Sequence, residues 1–186
     1  MDFEFSEDQK MVIEGARDFA VNTLLPVALE YDEKQEVNLA GLKQLGELGY
    51  LGMTVPEEYG GTGFGSIAYV GAMIEFSKVD SGMSVAVSVQ NSLVNDAIML
   101  FGTEEQKKTF LPKLTSGEWI GCFSLTEAGA GSDPGSLHAM AVRDGDAWVL
   151  NGTKNFTTNG GIADVIIAFF STDKTKGAKG ISAFLL

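Results

Sequence analysis

Cysteine and histidine are almost absent: the 186 residues hold one of each, Cys122 and His138. A lone cysteine forms no internal disulfide and no Cys-based zinc site. A lone histidine excludes a His-rich metal centre, so no metal site is expected. Positive charge is also scarce. Thirteen Lys and Arg stand against 25 Asp and Glu, a net charge of −12. Such a chain lacks the clustered cations that hold nucleic acid or an anionic membrane. No uncharged apolar run reaches the ~18–20 residues that span a bilayer. The start, MDFEFSEDQK, is acidic and has no basic stretch ahead of an apolar run, so no secretory or mitochondrial leader is expected and a cytoplasmic location is. The two glycosylation patterns, at Asn151 and Asn155, are then chance matches. What the chain has is apolar mass: 45% of it is hydrophobic and only 20% charged, enough for a packed globular core.

Charge and pattern both change near residue 120. Residues 1–120 carry 19 acids against 8 bases, and residues 121–186 carry 6 against 5. The first stretch reads as helices. Ser6-Glu7-Asp8-Gln9 is a capping box, and Val12, Ala16, Phe19, Ala20 and Leu24 follow at helical spacing. Pro26 interrupts or ends that helix. A second helix follows Asn38, with Leu39, Leu42, Leu45 and Leu48 on one face and Gly49 as its stop. PEEYGGTGFG (56–65) reads as a Gly-rich loop. A third helix runs near Ser66 to Lys78. A fourth, Ser81 to Leu100, is almost uncharged and is expected to be buried. Thr103-Glu104-Glu105-Gln106 caps one more helix. From Trp119 the period shortens to that of strands: Ile120–Leu125, Ala139–Arg143, Ala147–Leu150, Lys154–Thr158, Val165–Thr172 and Ile181–Leu186, with Asp144-Gly145-Asp146 as a hairpin turn. The expected fold class is α+β, an all-helical domain over 1–118 followed by an antiparallel β-barrel domain over 119–186. The apolar ending ISAFLL has no cap or turn after it, which leads us to expect a β domain cut short.

Two segments carry chemistry. In CFSLTEAGAGSDPGS (122–136) a strand runs into a Gly/Ser loop that can offer successive N–H groups and hydroxyls to an anion or a polar ring edge. Gly129 and Gly131 fit two places of a dinucleotide fingerprint. Pro134 occupies the third and strands follow in place of a helix, so a Rossmann site is excluded. No G-x-x-x-x-G-K-[ST] run exists, which excludes a P-loop. In NGTKNFTTNGG (151–161), alternation would place Phe156 and Thr158 on one strand face, an aromatic plane beside a hydroxyl. An ordinary turn and an ordinary amphipathic strand account for either segment taken alone.

TEAGAGSD followed by NGTKNFTTNGG, in that order, resembles the acyl-CoA dehydrogenase family, which uses FAD. FSEDQKMVIEGARDFA, GLKQLGELGYLGMTVPEEYGGTG and FGTEEQKKTFLPKLTSGEWIG resemble the family's N-terminal helices. The resemblance covers essentially the whole chain. It implies an N-terminal helical domain and part of a middle β-barrel domain, with none of the family's C-terminal four-helix domain. It implies that Phe123, Leu125 and Thr126 face the pyrimidine edge of the isoalloxazine. It likewise implies that Gly131 and Ser132 lie near the flavin pyrophosphate and the acyl-CoA, and that Phe156, Thr157 and Thr158 lie against the flavin's other face, with Thr158 placed to hydrogen-bond the redox-active ring nitrogen. Many family members carry Trp where this chain has Phe156.

SVQNSLVNDAI (88–98) resembles the helix lining the acyl tunnel, so Val89 and Leu93 are substrate candidates, or simply core. In the family a glutamate removes the α-proton and a hydride passes from the β-carbon to the flavin. No carboxylate here matches that base, and Glu127 is expected to hold its loop. The implied partners are acyl-CoA and an electron-transfer flavoprotein, and the implied assembly is a homotetramer or homodimer. The resemblance further implies that residues 1–186 alone bind FAD poorly and turn nothing over, because another subunit helps hold the adenine end. A flavin oxidase or monooxygenase of the same fold, and a non-catalytic interaction module, are the alternatives.

Overall fold

The computed structural model describes residues 4–186. Contacts divide the chain into two units, Met1–Trp119 and Ile120–Leu186.

The helical unit begins with α1 (Glu7–Phe19), where the expected capping box forms: Gln9 N donates to Ser6 Oγ at 3.2 Å and Ser6 N to Gln9 Oε1 at 3.0 Å. Pro26 does not end the helical run. A π-helical turn, Ala20–Leu24, carries α1 into α2 (Leu25–Lys34). Proline offers no N–H to the carbonyl four residues back, and Leu25 N instead reaches Ala20 O five back. α3 (Leu39–Glu47) is capped by Asn38, and Gly49 follows at φ +83, a left-handed position open to glycine. α4 (Gly65–Ser77) comes next.

The expected single helix from Ser81 is three pieces: α5 (Ser81–Ser88), a π-helical turn (Val89–Asn95) and α6 (Asp96–Phe101). It is buried on one side only, and Leu100 is 74% exposed. Scarcity of charge marked an apolar helix, not one enclosed all round. α7 (Glu104–Thr115) closes the unit with the second capping box. The core centres on Phe76, which Phe19 and Tyr50 meet edge-on. The second π-helical turn buries Asn91. Its side chain accepts from Met53 N at 2.9 Å and donates to Tyr50 O at 2.8 Å and Val87 O at 3.0 Å.

The second unit holds β1 (Gly121–Ser124), β2 (Met140–Asp144), β3 (Ala147–Asn151), β4 (Val165–Ser171) and β5 (Ile181–Leu185). β4 is central. β1 pairs with it in parallel, Gly121 opposite Val165 through Ser124 opposite Ala168. β2 joins the same edge of β4 in parallel at Met140 and Ser171. β5 pairs antiparallel, Ile167 opposite Leu185. β2 and β3 form the expected hairpin, with Gly145 at φ +59. The sheet is therefore mixed and open, which corrects the expected antiparallel barrel. Alternation reveals a strand but not its pairing direction. Only the 144–146 turn fixed one, and the long connections around β1, β2 and β4 leave room for parallel pairing.

The expected strand Lys154–Thr158 is also corrected. Residues 152–157 are irregular and a turn starts at 158. Phe156 and Asn159 stand at φ +55 and +65, left-handed values that no strand contains. The shared face proposed for Phe156 and Thr158 therefore does not exist as strand alternation.

Candidate functional site

The site is assembled where the end of β1 meets the irregular segment 152–162. Asn155 N donates to Thr126 O at 2.8 Å. The hydroxyls of Ser124 and Thr157 bond at 3.1 Å, and Asn159 Nδ2 donates to Gly121 O at 3.2 Å. Two motifs far apart in sequence thus run side by side, Thr126 in one and Thr157–Thr158 in the other. Phe123 packs its ring on Phe169 of β4, with centroids 4.8 Å apart. Leu125 and Thr126 are half-buried beside it.

Glu127 is buried and holds the loop, as its neighbours suggested. Its carboxylate accepts from His138 N at 2.6 Å, Ala139 N at 3.0 Å and Lys154 Nζ at 2.8 Å. Burial raises its pKa. The Lys154 ammonium and the two backbone donors outweigh that, and the group stays below the usual carboxylate range. A carboxylate so fully engaged is a poor proton acceptor. Lys154 was not singled out from the sequence. The one signal available was a single charged residue inside an otherwise uncharged motif, 151–161. Cys122 is buried in β1, and burial pushes its thiol up.

Several groups around this frame are left open. Among the described residues, no protein partner meets the hydroxyls of Thr126, Ser132 or Thr158. Thr157 differs, its hydroxyl being taken by Ser124. A Cβ at Gly129 or Gly131 would have nothing within 4 Å, so that loop faces open space. The Phe156 side chain is 93% exposed. Free hydroxyls, an exposed aromatic ring and an open Gly/Ser loop form a donor set suited to a flat heteroaromatic ring with polar edges and an anionic tail. Among the described residues no group of three or more His, Cys, Asp or Glu could hold a metal ion, and no helix is long and apolar enough to cross a membrane.

In the helical unit, Val89 is buried and Leu93 is 40% exposed, both within the second π-helical turn. They do not line the groove of about 500 Å³ in that unit, which is bounded by Tyr69, Met73, Ile74 and Ser88.

Residues 6–118 match the family described as Acyl-CoA dehydrogenase, N-terminal domain, and residues 122–186 match Acyl-CoA dehydrogenase, middle domain. The short-chain specific acyl-CoA dehydrogenase of Clostridium acetobutylicum is 43% identical over 186 residues, covering 100% of this chain and 49% of that protein. Butyryl-CoA dehydrogenase from Megasphaera elsdenii superposes with a TM-score of 0.94 at 39% identity, over 100% of this chain and 50% of that one. A chain solved in a study of the electron transferring flavoprotein of Acidaminococcus fermentans superposes with a TM-score of 0.96 at 42% identity, again over 100% of this chain and 49% of that one. The chain spans about half the length of the relatives it matches. On both of its units, the chain belongs to the acyl-CoA dehydrogenase family.

Proposed function

We propose that these residues are the helical and flavin-edge parts of an FAD-dependent acyl-CoA dehydrogenase. The enzyme dehydrogenates an acyl-CoA thioester to the 2-enoyl-CoA and passes electrons to an electron-transfer flavoprotein. The observation that carries the reading is the neighbouring placement of the two motifs, joined by the Asn155 N to Thr126 O bond, with the hydroxyls of Thr126 and Thr158 and the exposed Phe156 ring taken by no protein partner among the described residues. The names of the matched enzymes support a short acyl group, and the Acidaminococcus superposition supports a flavoprotein electron acceptor.

FAD, when bound, supplies the two-electron acceptor. The roles assigned to this chain are positional. Phe123, Leu125 and Thr126 present backbone and hydroxyl groups to the pyrimidine edge. Thr158 would offer its hydroxyl to the redox-active ring nitrogen, and Phe156 would lie against a ring face. Thr157 serves through Ser124, fixing the backbone between them. Gly131 and Ser132 offer an N–H and a hydroxyl to the pyrophosphate or acyl-CoA. Val89 and Leu93 are assigned to the acyl chain. With the flavin bound, fixed donors of this kind would stabilise negative charge on the ring without having to reorganise. No carboxylate of this chain is assigned as the base.

The test is expression of the complete reading frame containing these residues. A yellow protein that dehydrogenates short acyl-CoA anaerobically, with electron-transfer flavoprotein as acceptor, is expected. A colourless protein refutes the reading. Rapid reaction of the reduced flavin with oxygen would mark an oxidase instead.

A further inference from the structure

The segment that carries Phe156 and Thr158 is not a strand, so no ladder fixes it. Among the described residues, a single backbone hydrogen bond, Asn155 N to Thr126 O, joins segment 152–158 to the end of β1. A left-handed Phe156 and a left-handed Asn159 bracket the two threonines. Such a stretch needs an anchor if its hydroxyl is to meet a ring atom with hydrogen-bond precision.

We propose that the Lys154–Glu127 pair is that anchor: a buried ion pair that positions the flavin edge without touching the flavin. The inference rests on the FAD reading above. The pair is 2.8 Å long, and its side chains are 9% and 8% exposed. Lys154 Nζ also donates to Leu125 O at 3.1 Å and stands 5.4 Å from the centre of the Phe170 ring on β4. Glu127 in turn grips the amides of His138 and Ala139 at the entrance to β2. One ammonium and one carboxylate thus fasten four stretches together: 125–127, 138–139, Lys154 and β4.

The two ends of the pair sit directly beside the candidate contacts. Glu127 follows Thr126, and Lys154 precedes Phe156 by two residues. A buried pair is seldom the cheapest source of stability, since well-packed apolar residues often match it. What it adds is directional: the ammonium has three donors and the carboxylate accepts three bonds, so the relative place of the two motifs is fixed along several axes. Lys154 and Glu127 are positioning residues and not catalytic ones.

The experiment uses the flavin-loaded protein from the complete reading frame, with Lys154→Met, Lys154→Arg and Glu127→Gln. Partners that orient the groups touching a bound metal are worth about 10–100-fold in its affinity, and a similar leverage is expected on the flavin. Lys154→Met is expected to weaken FAD binding about tenfold or more, to shift the visible flavin bands, and to speed hydrogen exchange at the Asn155 amide while the β4–β5 amides keep their protection. Lys154→Arg is expected to restore most of the affinity and the band positions, which a general loss of stability would not explain. A folded Lys154→Met protein with unchanged FAD affinity and bands overturns the proposal. If Lys154→Met does not fold, Glu127→Gln decides, because it keeps the size of the side chain while removing the charge and one of the two acceptor oxygens that hold His138 N, Ala139 N and Lys154 Nζ. Unchanged flavin affinity and bands in that variant overturn the proposal equally. A wild-type protein that takes up no flavin refutes the functional reading instead, so the two failures are distinguishable.

Discussion

Thr157 and Thr158 are neighbours with the same side chain, and they are expected to fail in opposite ways. The Thr157 hydroxyl is bonded to Ser124 at 3.1 Å in a half-buried setting. Replacing it with Ala removes one internal hydrogen bond and leaves the Ser124 hydroxyl unpaired in a buried position. The expected cost is about 1–2 kcal/mol of folding stability. The Thr158 hydroxyl has no protein partner among the described residues. Thr158→Ala is therefore expected to change folding stability by less than about 0.5 kcal/mol. Its loss appears only when the flavin is present: about 0.5–1.5 kcal/mol, or roughly 2–12-fold in FAD affinity, for one hydrogen bond to the ring. The assay is a paired measurement on each variant, urea unfolding of the apoprotein and FAD titration by flavin fluorescence. If Thr158→Ala destabilises the apoprotein as much as Thr157→Ala and leaves flavin affinity untouched, the assignment of the free hydroxyl to the cofactor is wrong.

Other consequences are as direct. Gly131→Ala meets open space at a backbone angle Ala accepts, so urea melts of the apoprotein are expected to be unchanged while FAD affinity falls. Gly61→Ala would instead overlap the Val55 carbonyl oxygen. A loss above about 3 kcal/mol, or no folded protein, is expected in expression and melting trials. Asn91→Leu fills the same space but strands Met53 N–H and the Tyr50 carbonyl. At about 1–3 kcal/mol each, denaturant titration should show a loss of about 2–6 kcal/mol. Glu127 has a depressed folded-state pKa, so its stabilisation is fully present above the ordinary value of about 4.3 and is lost as pH falls through the folded value. Thermal melts at decreasing pH should show a decline that is smaller in Glu127→Gln.

Much of the helical unit was legible because its signals are local. Ser6 with Gln9 and Thr103 with Gln106 are capping boxes written in four residues, and both form. The π-helical turns were not legible. They arise from a missing N–H at Pro26 and from a cluster of buried amides whose partners lie about forty residues earlier in the chain. In the second unit β4 and β5 stood out by their β-branched and aromatic runs and the β2–β3 hairpin by its Asp144-Gly145-Asp146 turn, whereas segment 154–158 only mimicked a strand. Its alternation is real in composition, but Asn155 bonds to Thr126 rather than to a ladder, and that choice depends on a tertiary contact. The motif residues could be named in advance, whereas the Lys154–Glu127 bond between them required the fold.

The most direct test of the central claim follows the threonine methyl signals of the isotopically labelled protein from the complete reading frame as FAD is added. Thr126 and Thr158 should shift together and saturate at one equivalent, with the Phe156 ring signals moving in step. Thr153 and Thr172, outside the cradle, should stay in place. Saturable FAD binding that moves neither Thr126 nor Thr158 would contradict the account.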